Sequence, residues 1–318
     1  MIVEILWIVL GFVLLIKGAD WLVDGASNIA KRFHIPEIII GLTIVSIGTS
    51  MPELFVSITS AIDGYADMAV GNVIGSNICN LLLILGLSTV IQSIKFKKET
   101  RLIEIPLTLA VTIILFIMCN IGGDITRVEG IILTILFVLF IAYTIYMGRK
   151  GEEFNPEPEC LAMKEVKQTS IIKSILSIIL GIVALKLGGD FVVEHSGVIA
   201  QNLGISEKVI SLTIIAIGTS LPELVTSVTA AIKGDSDIAI GNILGSNIFN
   251  ILLILGASAV IAPITYNFSY NNQIWVLIIG TVLLALFPFI GKKNEMTRTN
   301  GVSYLILYAI YLAGLLIY

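Results

Sequence analysis

Three long stretches of this chain, Ile103 to Ile121, Gly130 to Met147 and Asn272 to Ile290, consist almost entirely of apolar side chains. Each matches the roughly 20 residues an α-helix needs to cross a bilayer, and none shows the ten-residue alternation of an outer-membrane barrel strand. Composition agrees, since 56% of the residues are hydrophobic and 13% charged, against roughly 25% charged in a soluble domain. The fold class that follows is an all-α polytopic membrane protein, and 318 residues leave room for about ten helices with short connections. A formal net charge of -4 offers no basic face to nucleic acid. Cys79, Cys119 and Cys160 follow no metal-ligand spacing and read as packing residues.

Spans are expected at residues 5–29, 37–62, 67–91, 102–121, 128–147, 170–199, 207–232, 237–261, 273–290 and 301–317. Met1-Ile2-Val3-Glu4 leads straight into the first, without a basic leader or cleavage site, so that span is expected to be retained. The one sizeable polar connection, 148–169, holds Glu152, Glu153, Pro156, Glu157, Pro158 and Glu159 and reads as a cytoplasmic linker. It separates a first five-helix repeat, 1–147, from a second, 170–318. With the amino terminus outside, nearly every Lys and Arg falls in a cytoplasmic loop and only Arg127 and Lys208 face outward. The positive-inside rule then places a multi-pass protein in the cell membrane with both termini outside.

An internal repeat refines this architecture. Shifting the sequence by 170 residues lays Gly48-Thr49-Ser50-Met51-Pro52-Glu53 on Gly218-Thr219-Ser220-Leu221-Pro222-Glu223. The same shift lays Gly71-Asn72-Val73-Ile74-Gly75-Ser76-Asn77 on Gly241-Asn242-Ile243-Leu244-Gly245-Ser246-Asn247, and no gap is needed from Gly11/Gly181 to Ile91/Ile261. Five spans per repeat is an odd number, so the second copy must cross the membrane with opposite polarity. Inverted-topology repeats are a transporter architecture whose substrate site lies near the midplane, where the halves meet.

Chemistry concentrates in the repeated motifs. Glu53 and Glu223 fall halfway along their spans, where a carboxylate costs several kcal/mol unless a partner, an ion or a water-filled cavity accommodates it. No Lys or Arg lies near them in sequence. Pro52 and Pro222 each remove an amide hydrogen, which frees carbonyls among residues 46–49 and 216–219 beside the hydroxyls of Thr49, Ser50, Thr219 and Ser220. In the next span of each half, Asn72, Ser76 and Asn80, and then Asn242, Ser246 and Asn250, make a polar stripe at helical spacing. The glycine pairs Gly71/Gly75 and Gly241/Gly245 permit close helix approach. An all-oxygen set suits a hard cation such as calcium, whereas a transition metal would call for His or Cys. His34 and His195 do not correspond across the repeat.

Gly-Thr-Ser-x-Pro-Glu followed by Gly-Asn-x-x-Gly-Ser-Asn, present twice, resembles the two alpha repeats of the calcium/cation antiporter superfamily, most closely its prokaryotic sodium/calcium exchangers. The resemblance spans nearly the whole chain. It implies ten helices as two inverted-topology five-helix repeats around a central ion cluster. By position it implies that Glu53 and Glu223 share calcium with the Thr49 and Thr219 carbonyls. Ser50, Ser76, Asn80, Ser220, Ser246 and Asn250, with backbone oxygens near Ser46 and Ala216, would complete sodium sites. Proton-coupled members typically read Gly-Asn-Ala-x-Glu where this chain has Gly48-Thr49-Ser50.

Two carboxylates balance one calcium, and three sodium ions in the same pocket would leave one positive charge. Exclusive occupancy gives an electrogenic sodium/calcium antiporter working by alternating access, with proton-coupled cation antiport as the alternative. No enzymatic activity, no cofactor and no obligate protein partner are expected; the partners are calcium, sodium and the lipid bilayer. A channel fits less well because nothing resembles a selectivity-filter loop. An intramembrane aspartyl protease lacks its Gly-x-Gly-Asp motif and its paired aspartate. Asn72, Asn77, Asn242, Asn247, Ser57 and Ser227 stand equally for packing or for binding. Asp20/Asp190 and Asp24/Glu194 stand either for helix-end solvation or for the ion pathway.

Overall fold

In the computed structural model of the chain, the described residues are 2–64, 66–154, 170–203, 216–290 and 294–317. Most of the expected linker and the first part of the expected span 207–232 therefore lie outside them. The described helices of the bundle begin with α1 (Ile2–Arg32), α2 (Glu37–Thr49), α3 (Met51–Ile62), α4 (Met68–Ile91) and α5 (Thr100–Gly122). They continue with α6 (Arg127–Phe154), α7 (Ile171–Asn202), α8 (Ala216–Thr219), α9 (Leu221–Lys233), α10 (Ser236–Ile261), α11 (Phe268–Phe289) and α12 (Arg298–Ile317). Seven are long and apolar enough to cross a membrane, and α2 with α3, bent by 49° at Ser50, makes an eighth. The chain is thus an all-helical polytopic membrane protein.

The expected polarity reversal is visible in how equivalent helices meet. The repeat matches α1 to α7, yet an added Cβ on Gly11 would touch the Gly188 carbonyl, one on Gly18 the Gly181 carbonyl, and one on Gly25 the Ser174 carbonyl. Numbers that rise along α1 meet numbers that fall along α7, so the two helices run antiparallel. The contact is backbone on backbone: a Cβ at Gly181 would lie 2.8 Å from the Gly18 oxygen. With no side chain between them the helices approach to van der Waals contact, the means by which lipid-embedded helices associate.

Packing sorts the helices by depth. α10 is almost wholly buried and α4 largely so, while α1 and α6 turn most of their surface outward. On α1 that surface is Ile2, Leu6, Val9 and Ile16, all exposed, as suits a face solvated by lipid. A large apolar cluster joins α4, α5, α6, α10, α11 and α12. A smaller one is built from α1 and α7 with Ile40, Val45 and Ala230. Two short antiparallel ribbons cross between the halves: β1 (Ile94–Lys95) pairs with β4 (Glu295–Met296), and β2 (Asp124–Ile125) with β3 (Ile264–Thr265). Of the glycine pairs in the motifs, Gly241 sits on the Ile38 carbonyl and Gly245 on Leu42. Gly71 instead faces the Tyr270 hydroxyl.

Gly181→Val adds a Cβ with two methyl groups where the Cβ alone already meets backbone, and should cost about 1–3 kcal/mol. Gly122→Ala, whose Cβ meets no described atom, should leave the thermal midpoint in detergent nearly unchanged. Equal midpoints for the two variants would show that α1 and α7 are not held by this contact.

Candidate functional site

The site forms where two breaks face two polar helices. α2 ends at Thr49, Ser50 adopts φ -84 and ψ 10, and α3 restarts at Met51 with Pro52 in its first turn. The second half repeats the geometry: α8 ends at Thr219, Ser220 takes φ -90 and ψ 7, and α9 restarts with Pro222. Proline lacks the N–H that the carbonyl four residues earlier needs, so Gly48 and Gly218 lose their helical donors and the chain turns there. This places Glu53 and Glu223 in the first turn of a restarted helix, at the end where its dipole favours negative charge. Both side chains are 1% exposed. Among the described ion pairs neither has a Lys, Arg or His partner.

Each half reaches into the other. The Ser50 hydroxyl donates to Glu223 Oε1 at 2.7 Å, and the Ser220 hydroxyl donates to Glu53 Oε1 at 3.3 Å. Ser50 Oγ also lies 2.9 Å from Ser246 Oγ. The Asn77 amide donates to the Asn247 carbonyl at 3.2 Å and the Asn247 amide to the Asn77 carbonyl at 3.3 Å. Asn80 Nδ2 donates to Asn247 Oδ1 at 3.1 Å, and Asn250 Nδ2 to Asn77 Oδ1 at 2.9 Å. Every contact in these reciprocal pairs maps onto its mate under the 170-residue shift, so a pseudo-two-fold axis passes between α4 and α10.

The network leaves a specific set of oxygens over. Glu53 Oε2, Glu223 Oε2, Asn80 Oδ1 and Asn250 Oδ1 are buried and accept no hydrogen bond. A donor missing from one such atom costs about 1–3 kcal/mol. These four acceptors, in two symmetric pairs and two of them carboxylate oxygens, make up the cage: no donor among the described residues satisfies them, and a cation has the chemistry to do so. Among the described residues no group of three or more His, Cys, Asp or Glu side chains is placed to hold a metal. Charge in the cage comes from the two glutamates alone, the rest being neutral oxygen, the ligand chemistry of sodium and calcium.

Of the anticipated residues, Thr49, Ser50, Glu53, Ser76, Asn80, Ser220, Glu223, Ser246 and Asn250 are gathered and buried or nearly so around the two breaks, with Thr219 beside them. Thr49 spends its hydroxyl on Asn242 Oδ1 at 3.0 Å, whereas Thr219 Oγ1 has no partner. Ser46 departs from the expected freed carbonyl, because its oxygen accepts the Ser50 N–H at 3.0 Å. At the matching place the Ser220 N–H turns to the Ile217 carbonyl at 3.2 Å. Ala216 opens α8, and its side chain lies outside the described residues. Asn72 and Asn242 each donate to the serine they face, Ser57 and Ser227, at 2.9 Å.

Sequence reasoning left Asn77 and Asn247 undecided, and the structure assigns them to the cross-repeat lock. It also gave no sign that Asn80 and Asn250 lie in π-turns, Cys79–Ile84 and Asn250–Leu255. Such single-turn bulges gather at functional sites. The hint in sequence is that both asparagines close the polar stripe that each half repeats.

Asp190 is held by Lys186 on its own helix at 2.6 Å and is roughly half exposed, unlike a catalytic aspartate. Asn247→Ala removes both the acceptor that orients Asn80 and the donor to Asn77. It should cost about 1–3 kcal/mol in thermal stability, and Asn77→Ala should match it. A loss confined to one of the pair would disprove the two-fold lock.

The family model for the sodium/calcium exchanger protein matches residues 3–146 and 173–317. A protein of Alkalimonas amylolytica whose name describes it as an antiporter, CaxA, is 38% identical over 303 residues, covering 95% of both chains. The sodium/calcium exchanger MaX1 of Methanosarcina acetivorans is 32% identical over 348 residues, covering 98% of each. Among solved structures, the sodium-calcium exchanger NCX_Mj soaked with 2.5 mM Na+ and 0.1 mM Ca2+ superposes with a TM-score of 0.86 at 32% identity, covering 98% of each chain.

Proposed function

Because this chain belongs to the sodium/calcium exchanger family, and is therefore a cation antiporter of the membrane, we propose that it exchanges sodium for calcium by alternating access, with about three sodium ions per calcium. The observation that carries the reading is the buried acceptor cage of Glu53 Oε2, Glu223 Oε2, Asn80 Oδ1 and Asn250 Oδ1.

Calcium takes six to eight oxygens and tolerates irregular geometry. Glu53 and Glu223 neutralise its two charges, with the Thr49 and Thr219 carbonyls at the breaks as further ligands. Sodium ions distribute over Ser50, Ser76, Asn80, Ser220, Ser246 and Asn250, with backbone oxygens at Ala216 and the second lone pair of Ser46. Both loads draw on the same two carboxylates, so each excludes the other, and this exclusion is the coupling. The α1–α7 pair, with its own small apolar cluster, is the unit that slides across the rest to expose the cage to one side at a time. The membrane is the cell membrane and both termini face outward, with the connection 148–169 inside. No resident cofactor and no obligate protein partner enter this cycle.

The test is calcium uptake into sodium-loaded proteoliposomes diluted into sodium-free buffer. Uptake should require the sodium gradient, ignore a pH gradient, and vanish in Glu53→Gln and in Glu223→Gln. Three sodium ions leaving for one calcium entering move one positive charge outward. Uptake should therefore quicken when a potassium diffusion potential makes the interior positive. Uptake indifferent to that potential rejects the stoichiometry, and uptake driven by protons rejects the coupling ion.

A further inference from the structure

The repeat that makes the site symmetric makes its two ends opposite in charge. α3 and α9 are equivalent helices, and each ends before a glycine at φ 86, Gly64 and Gly234. At the last position before that glycine stands Lys233 in one half and Asp63 in the other. The helices that run past these ends carry acids at matched places: Asp20 and Asp24 on α1, Asp190 and Glu194 on α7.

At the Lys233 end the charges attract. The ammonium lies 2.8 Å from Asp24 Oδ1 and 3.1 Å from Asp20 Oδ1, and donates to the Asp20 carbonyl at 3.2 Å. α1 is tied again there through Glu37 at the start of α2, which accepts from Ser27 at 3.0 Å and pairs with Lys31 at 3.6 Å. At the Asp63 end the three equivalent positions are all acidic, Asp63, Asp190 and Glu194, so no counter-ion stands where Lys233 does. Asp190 turns away to Lys186 of its own helix.

The packing follows the charges. α1 lies along α9, while their counterparts α7 and α3 are barely in contact. Val56 of α3 is 40% exposed, where its equivalent Thr226 of α9 is 0% exposed.

We infer that Lys233 with Asp20 and Asp24 is an ionic latch that closes one end of the α1–α9 seam. Asp63, with acids at the positions equivalent to both of Lys233's partners, is its inverted counterpart, which leaves the other end unlatched. The inference rests on the alternating-access reading for what the latch gates. Under the proposed orientation the latched end is cytoplasmic, and the protein rests open to the outside. A three-way contact of partly exposed charges shifts a two-state balance by a small factor rather than locking it. A carrier that must visit both states needs a bias of that size.

Hydrogen–deuterium exchange of the full-length protein in nanodiscs reads both ends without any ion gradient. A failed latch can thus be told apart from a failed exchange function. In the unmodified protein, residues 20–27 and 226–233 should exchange more slowly than residues 56–63 and 190–197. Lys233→Gln should speed the first pair by about threefold to tenfold. Asp63→Lys, at an exposed position, should slow the second pair by a similar factor. Lys233→Asp combined with Asp63→Lys should reverse the order of the two ends. Should a Lys233 variant fail to fold, Asp63→Lys alone decides. Exchange at the Asp63 end that is unmoved by Asp63→Lys overturns the inference.

Discussion

A polar group buried at membrane depth has no water to fall back on, and everything at the centre of this molecule answers to that constraint. Asn77 and Asn247 solve it by reciprocity, each donating to the other's backbone carbonyl across a two-fold axis. The solution needs the same residue in each half, which the internal repeat supplies. From that one pairing follow the orientation of Asn80 and Asn250, the close seating of α10 against α2, and the meeting of the two helix breaks. Glu53 and Glu223 then share one space, where ionised carboxylates are costly unless something positive joins them.

Much of this was legible in the residues, because an internal repeat supplies its own comparison. The apolar runs gave the helices, Pro52 and Pro222 gave the breaks, and the spacing of Asn72, Ser76 and Asn80 gave the polar face of α4. What escaped depends on distances between halves. Whether Asn77 packs or binds is decided by Asn247, far away in sequence, and the π-turn that aims Asn80 has no residue signature. Ser46 shows the limit of a backbone rule. Proline at 52 frees the carbonyl of Gly48, but the break is tight enough that Ser46 keeps its own helical donor. The count of ten spans rests on the sequence where residues 204–215 lie outside the described structure.

Symmetry and its violation have separate duties here. The asparagine lock and the serine–glutamate pairs are two-fold to the level of individual hydrogen bonds, which suits a site that must serve both sides of the membrane. The rim is not: Lys233 and Asp63 occupy equivalent positions with opposite charge. Duplication alone would yield a carrier that rests equally on either side. The charge difference at the helix ends biases that rest, while the direction of net exchange stays with the ion gradients.

The two strand ribbons have a consequence for the chain as a continuous thread. Each joins a loop of the first half to a loop of the second, β1 to β4 and β2 to β3. Together with the buried asparagine lock, they clasp the halves by contacts that do not involve the connection between them. Among the described residues, the clasp between the halves owes nothing to that connection. The connection is the natural place for a chain of this design to accept an inserted module, or to be cut into two polypeptides that find each other in the bilayer, without disturbing the ion cage.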